Sequence, residues 1–243
     1  MPPFSVIALI GAALVLVGLA GIRLSGADSR LARRLAAARQ LSVGDLLGAE
    51  TLPQRPVRVS GRIRCANPIV TARDDRLVAY HRDVQVKPPG RAWRSIERIR
   101  ETRGFELWDH HGSLALDPGQ AAEPLVVIPH VWRGSATELT TEPHRAAVAR
   151  LGGADAAWPA RSVTRMLSVV ERLLVLADVE RDSNGTVTLV APPGGFVISG
   201  LELDAAMRLL AGRRRGVMLA GYGLLAIGAI VLVAAVMGLA IGS

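Results

Sequence analysis

Cysteine is almost missing from this chain: Cys65 is the only one in 243 residues. A single thiol excludes an intramolecular disulfide framework and any multi-cysteine zinc site. Cys65 follows the apolar alternation of Val57, Val59, Gly61 and Ile63, so it reads as a small packed residue. Lysine is almost missing too, with Lys87 the sole example among 29 basic residues. That arginine bias, with abundant Ala and Gly, points to a high-GC bacterial genome. Aromatic residues make up only 4%, so Trp93, Trp108, Trp132 and Trp158 stand out. Core packing or edge cover is their plain role; a recognition surface is the alternative, since Trp anchors interfaces. There is no Gly-rich phosphate loop, no G-x-S-x-G elbow and no His-Glu-x-x-His helix. Ser60-Gly61 and Ser199-Gly200 read as strand and turn residues rather than nucleophiles.

Charge is missing from both ends. Gly216 to Ser243 carries no charged side chain over 28 positions, more than the ~20 apolar residues a membrane-crossing helix needs. Pro2 to Ile22 is equally free of charge. The expectation is one transmembrane helix at each end, 1–24 and 216–243. A cleavable signal peptide is the rival for the first, with Gly18-Leu19-Ala20 as the cleavage site, although no Lys or Arg precedes the apolar run. Ala234, Gly238 and Gly242 recur every four residues and are expected to pack the second helix against the first.

The net charge of +8 is unevenly placed. Arg23, Arg30, Arg33, Arg34 and Arg39 against Asp28 give +4, and Arg208, Arg213, Arg214 and Arg215 give another +4. The remaining 20 basic and 20 acidic residues cancel, so a nucleic-acid partner, which needs a concentrated basic face, is not expected. Arg23, Arg30, Arg33, Arg34, Arg213, Arg214 and Arg215 read as membrane-flanking collars. They would hold the middle domain on the cytoplasmic side and could attract anionic lipid headgroups.

Between the collars the pattern is mostly β. Val57 to Arg64 and Leu77 to Val86 alternate with period two, as half-buried strands do. Trp93 to Arg103 reads as a further strand or an irregular crossing. Phe105 to Asp109 and Ser113 to Leu116, joined through His110-His111-Gly112, form a hairpin signature. Leu125 to Val131 offers one more strand. Ser135 to Pro159 is the least patterned stretch and reads as a surface insertion, with a short helix over Pro143 to Leu151. Leu173 to Val179 and Thr186 to Val190 flank the Asn184-Gly185 turn. Asp28 to Leu41 and Leu201 to Leu210 read as helices.

The order of these features resembles the GIDE, or "beside a membrane" (BAM), domain of mitochondrial membrane-anchored RING-type ubiquitin ligases and its bacterial relatives. The matching positions are Gly61, Pro68, Tyr80 and Trp93, then Phe105-x-Leu107-x-Asp109-x-x-Gly112, and later Pro192 and Phe196. The likeness covers roughly residues 1 to 240. It implies a β-rich domain between two spans, with the domain facing the intermembrane space or periplasm, opposite to what the arginine collars imply. It does not imply ligase chemistry, because the RING module needs eight Cys or His zinc ligands and is absent here. Arg161 to Val179 also lacks the Glu and Gly residues of the family's second half.

One constellation could be catalytic. Adjacent strands would group His81, Asp109, His110 and His111 for a metal, and a membrane-bound hydrolase would use Asp109 with His110 or His111. Neighbouring strand residues point to opposite faces, which works against one shared ion.

The sequence therefore predicts an integral membrane protein of the bacterial plasma membrane. Its fold is α+β, with a β-rich sandwich or barrel-like domain between two transmembrane helices. The expected divisions are a first span over 1–24, a basic helix over 25–44, the GIDE-like domain over 45–200, a basic helix over 201–215 and a second span over 216–243. Its strands would fall into two sets, 57–131 and 172–199, which could be two lobes of one sandwich or barrel. The expected function is a non-enzymatic, tethered interaction or sensor protein with a protein partner and no cofactor. A hydrolase and a lipid-binding scaffold are the alternatives.

Overall fold

The structure, a computed structural model, describes residues 3–72, 74–153, 157–212 and 215–241. It divides into two units, one of residues 1–37 with 204–243, the other of 38–203.

The first unit is helical. Helix α1 runs Pro3–Ala37 without a break, joining the expected span and basic helix into one element. It packs along the long C-terminal helix Arg215–Ile241. Small residues let the two backbones approach. A Cβ on Gly11 would lie 2.9 Å from Leu232 Cγ, and one on Gly18 would lie 2.8 Å from the Gly221 carbonyl oxygen. A Cβ on Gly228 would meet the Gly11 carbonyl oxygen at 2.9 Å. Contacts climb one helix as they descend the other, so the pair is antiparallel. The seam runs through Gly221, Gly228 and the buried Ala235, a spacing of seven. Ala234, expected on this seam, is exposed, while Gly242 and the side chain of Gly238 lie outside the described residues. Outward positions carry Leu9, Leu16, Ile230 and Val233, each more than half exposed.

Among the described residues, no helix is long and apolar enough to cross a membrane. This overturns the transmembrane part of the expected fold. With it go the two-span membrane partner, the plasma-membrane localisation and the choice of membrane side. Of the expected collar, Arg30 and Arg33 are exposed on α1 and Arg34 is half-buried. Arg213 and Arg214, with the side chains of Arg23 and Arg215, lie outside the described residues.

The second unit is β-rich and holds two sheets. A short strand β1 (Gln40–Leu41) leads into helix α2 (Val43–Leu47), which opens with a capping box between Ser42 and Asp45. Strands β2 (Val57–Arg64), β3 (Ile69–Val70), β4 (Arg76–Val86) and β5 (Arg94–Thr102) follow. Next come the hairpin β6 (Phe105–Asp109) and β7 (Gly112–Leu116), then β8 (His130–Ser135) and helix α3 (Glu142–Arg150). Strands β9 (Pro159–Ser168), β10 (Arg172–Arg181), β11 (Val187–Val190) and β12 (Val197–Ser199) complete the unit before helix α4 (Leu203–Gly212).

The larger sheet has the order β11-β10-β2-β6-β7, with β1 added along β2 and β12 along β10. It curls until β7 lies beside β11 without a ladder joining them, a nearly closed barrel. The smaller sheet has the order β3-β4-β9-β8, with β5 following β3 along the same edge of β4. The two sets of strands mix: β2 pairs with β10, and β4 pairs with β9, so each sheet draws on both halves of the sequence. The period-two side chains Val57, Val59 and Ile63 enter the barrel core with Phe105, Leu107, Leu114, Leu173, Val175 and Phe196. The start of β4 shares this core through Val78 and Ala79. Its far end feeds a second cluster, Val84, Val86, Leu139, Val148 and Ala160, beneath α3. The stretch expected to be a surface insertion is thus a lid on a small core of its own. Leu125 to Val127, expected in a strand, are buried but form only an isolated bridge at Val126, and β8 begins at His130.

Candidate functional site

The hairpin tip holds the group that the hydrolase alternative would use. Asp109 ends β6, and its carboxylate accepts the amide of His111 at 2.8 Å and that of Gly44 at 3.4 Å. It thereby ties the turn to the start of α2. A Cβ on Gly44 would lie 2.6 Å from the His111 ring, and one on Gly112 would lie 2.4 Å from Leu47 Cδ1, so both glycines permit this seating. Burial opposes ionisation of Asp109. The two amides and the nearby imidazoles outweigh it and hold the carboxyl below its ordinary value. The His110 and His111 ring centroids lie 4.0 Å apart, with the rings tilted by 44°. His81 lies on the smaller sheet, so the structure does not bring it to Asp109. Among the described residues, no group of His, Cys, Asp or Glu could hold a metal ion. Asp109 is a structural clip.

The resemblance positions serve packing. Gly61 and Leu107 meet inside the barrel, Phe105 and Phe196 are buried there, and Tyr80 is half-buried in β4. Pro68 precedes β3, and Pro192 follows β11. An open cleft of about 770 Å³ lies at the seam between β7 and β11, lined by Cys65, Phe105, Leu116 and Leu189 with Arg64 and Asp117. The Cys65 thiol sits 3.5 Å from the Gly104 carbonyl oxygen. Trp108 lies under the Arg64 guanidinium, 5.1 Å from centroid to Cζ, and Trp158 packs against the cluster beneath α3.

The smaller sheet carries the arrangement that sequence reasoning missed. Cross-strand partners point to the same face, so the ladder fixes what each face displays. Asp83 pairs with Arg98 and Val163, His81 with Arg100 and Arg165, and Gln85 with Ser95 and Arg161. Arg161 in turn pairs with Arg133 on β8. One face therefore gathers Arg98, Arg100, Arg133, Arg161 and Arg165, against Asp83 and the loop residue Glu123. The neutral total of this body conceals a basic surface. Its signal was present as alternating arginines, Arg98-x-Arg100 in β5 and Arg161-x-x-x-Arg165 in β9, but their partnership depends on pairing across some 60 residues of sequence.

Polar bonds hold this face in shape. Arg161 donates to Gln85 Oε1 at 2.8 Å, and Gln85 donates to Asp83 Oδ2 at 2.6 Å. The Arg161 guanidinium also stacks 4.2 Å above the Trp93 ring. Arg100 pairs with Glu123 and donates to the Arg82 and Ile99 carbonyl oxygens at 3.2 and 2.8 Å. That bond from Arg100 holds the Glu123 carboxyl below its ordinary value. His81 is 7% exposed. Its burial, together with the charges of Arg100 and Arg165, outweighs Glu123 and lowers its affinity for a proton. On the opposite face, the buried His144 bridges Thr141 at 2.6 Å and Glu97 at 3.2 Å, and Glu97 approaches Arg82 at 3.7 Å. Trp132, 38% exposed, belongs to that face.

No family model, no curated protein and no solved structure matches this chain.

Proposed function

We propose that residues 38–203 form a non-enzymatic binding module of the GIDE-like kind, and that its working surface is the arginine face of the smaller sheet. The partner is a protein with an acidic surface. The observation that carries this reading is the collection of Arg98, Arg100, Arg133, Arg161 and Arg165 on one face, beside Asp83 and Glu123. Rows of like charge across a sheet cost stability, so such a row calls for a compensating partner. Arginine suits that task because its planar fork meets carboxylates in pairs and sheds water readily.

A protein partner is favoured over nucleic acid on two grounds. Asp83 and Glu123 interrupt the basic surface where a phosphate backbone would track. Trp93, the aromatic that could stack a base, is already covered by Arg161. The test is fluorescence anisotropy of the full chain against a labelled peptide rich in Asp and Glu, beside a labelled DNA duplex. Binding of the peptide that weakens with salt and is lost in Arg98→Glu/Arg133→Glu supports the reading. Tighter binding of the duplex would transfer the surface to nucleic acid, and no binding of either would refute it.

A further inference from the structure

The two outer edges of the smaller sheet differ in what they offer. Strand β5 lines one with Arg94, Glu97, Arg98, Arg100 and Glu101, charges of both signs that oppose pairing with a foreign strand. Strand β8 lines the other and has no acid. Its Val131 and Trp132 are exposed, one on each face, and so is Ile128 just before the strand. The ladder decides which backbone groups this second edge presents. Pro159, at the start of β9, has no N–H, and its carbonyl oxygen accepts the Lys87 amide beyond the end of β4 at 2.9 Å. Ala136 donates to the Trp158 carbonyl oxygen at 2.8 Å. Such roles alternate along an antiparallel pair. His130, Trp132 and Gly134 therefore bond to β9, while Val131, Arg133 and Ser135 turn their amides and carbonyls outward. Glu138 takes the Ser135 amide at 2.9 Å. Those of Val131 and Arg133 bond to nothing among the described residues. The side chains add a charge requirement. Arg133 stands opposite Arg161 in the ladder, a like-charge pair. Arg161 is engaged by Gln85 and Trp93, whereas no hydrogen bond or ion pair engages the Arg133 guanidinium among the described residues. Asp83, an acid of the same face, lies two strands from β8 and is bonded by Gln85 and Ser95.

We propose that the outer edge of β8 receives an extended segment of the acidic partner as a further strand, with an acidic side chain beside Arg133 and an apolar one beside Trp132. The inference rests on the preceding reading of the arginine face and deepens it, because it states how the partner is held. Only a polypeptide carries donors and acceptors at the spacing of the outward Val131 and Arg133 groups. Backbone pairing supplies affinity at such an edge, and alternate side chains supply specificity. A carboxylate on the arginine face lies within reach of the Arg133 fork, and the apolar side chain on the opposite face covers the exposed Trp132. A second copy of this chain fits less well, since His130 to Ser135 contains no acid to set beside Arg133.

The experiment is fluorescence anisotropy of the full chain with labelled peptides of one length. The first alternates Glu and Val, the second holds the same residues in two blocks, and the third is the alternating peptide N-methylated on its backbone amides. The alternating peptide should bind about tenfold more tightly than either of the others, since only it can pair its backbone and place its side chains in register. Val131→Pro removes an outward amide at an edge position that tolerates proline. It should weaken the alternating peptide about tenfold and leave the circular dichroism unchanged; if it unfolds the chain, the N-methylated peptide, which alters only the ligand, decides. Arg133→Glu should reverse the preference, so that a peptide alternating Lys and Val binds in place of the Glu-Val peptide. Equal binding of the alternating, blocked and N-methylated peptides overturns the strand site, as does undiminished binding in a folded Val131→Pro. If acidic-peptide binding still falls in Arg98→Glu in that case, the broader reading stands and only this inference fails. A dimer in light scattering that Val131→Pro returns to monomer would assign the edge to a second copy and overturn the proposal.

Discussion

Gly61 and Leu107 provide a quantitative test of how the barrel core is packed. Gly61 lies on β2, and a methyl group added there would sit 2.8 Å from Leu107 Cδ2 and 3.1 Å from the Trp108 carbonyl oxygen. Leu107 is fully buried, so it has no open space to swing into. Gly61→Ala should therefore cost about 1–3 kcal/mol, as overpacking of a filled core does. Leu107→Ala removes the obstacle and leaves a cavity, at a cost of about 2–5 kcal/mol. In the double variant the new methyl enters the vacated space, and only the backbone contact with Trp108 remains. The double should thus be less destabilised than the sum of the singles by about 0.5–3 kcal/mol. All four tryptophans lie between positions 93 and 158, so their emission during urea unfolding of the full chain reports this unit. Midpoints compared at constant slope give the three free energies. If the two costs add within about 0.5 kcal/mol, the side chains are not in the contact described and the reasoning fails.

Other consequences follow from the same geometry. Glu171 accepts the Ser168 amide at 3.3 Å, and its burial raises its affinity for a proton. The folded chain therefore favours its protonated form, and the stability it contributes at acid pH is lost as pH rises through the raised value. Glu171→Gln should increase the melting temperature at pH 7 and change it little at pH 4, in scanning calorimetry at both. Asp109 has the opposite sign: its lowered value stabilises the fold above the ordinary carboxyl range and loses that contribution as pH falls. Asp109→Ala should destabilise by about 0.5–2 kcal/mol at pH 7, as loss of a capping carboxylate does, and this difference should shrink in acid. Replacing Gly18 by Leu should separate the α1 pair, since even a Cβ meets the Gly221 carbonyl at 2.8 Å; reduced melting temperature of the helical circular dichroism signal would report it.

The parts that were legible in sequence share one property: a single apolar face meeting a single core. Strand β2 shows alternation because one side, with Val57, Val59 and Ile63, enters the barrel. The hairpins at Gly112 and Asn184-Gly185 announced themselves through turn chemistry. Strand β9 was missed because Arg161, Val163 and Arg165 on one face and Ser162, Thr164 and Met166 on the other leave no apolar stripe. Strand β8 was placed too early because Leu125 to Val127 are apolar and buried, yet run as loop with one bridge. The basic face could not be read from counts, since acids elsewhere cancel its charge. The Asp109 group stayed open as a hydrolase alternative because sequence proximity says nothing about geometry, and in the structure two amides bond its carboxylate. The end segments were read as spans from their lack of charge, and the described helices do not supply the required apolar length.

The pairing of β2 with β10 has a consequence for how the chain is made. Residues 57–64 leave the ribosome with β6 close behind, but their other neighbour, 172–177, follows only after more than a hundred residues. At ~5–20 residues per second, one edge of β2 waits on the order of 5–20 s for its partner. During that interval a row of unpaired amides and carbonyls, backed by Val57 and Val59, is open to any passing strand. Nascent chains halted before residue 172 are thus the form of this protein with the greatest need of a chaperone. The Arg58, Arg62 and Arg64 side chains on β2 are the chain's own means of keeping such intermediates apart.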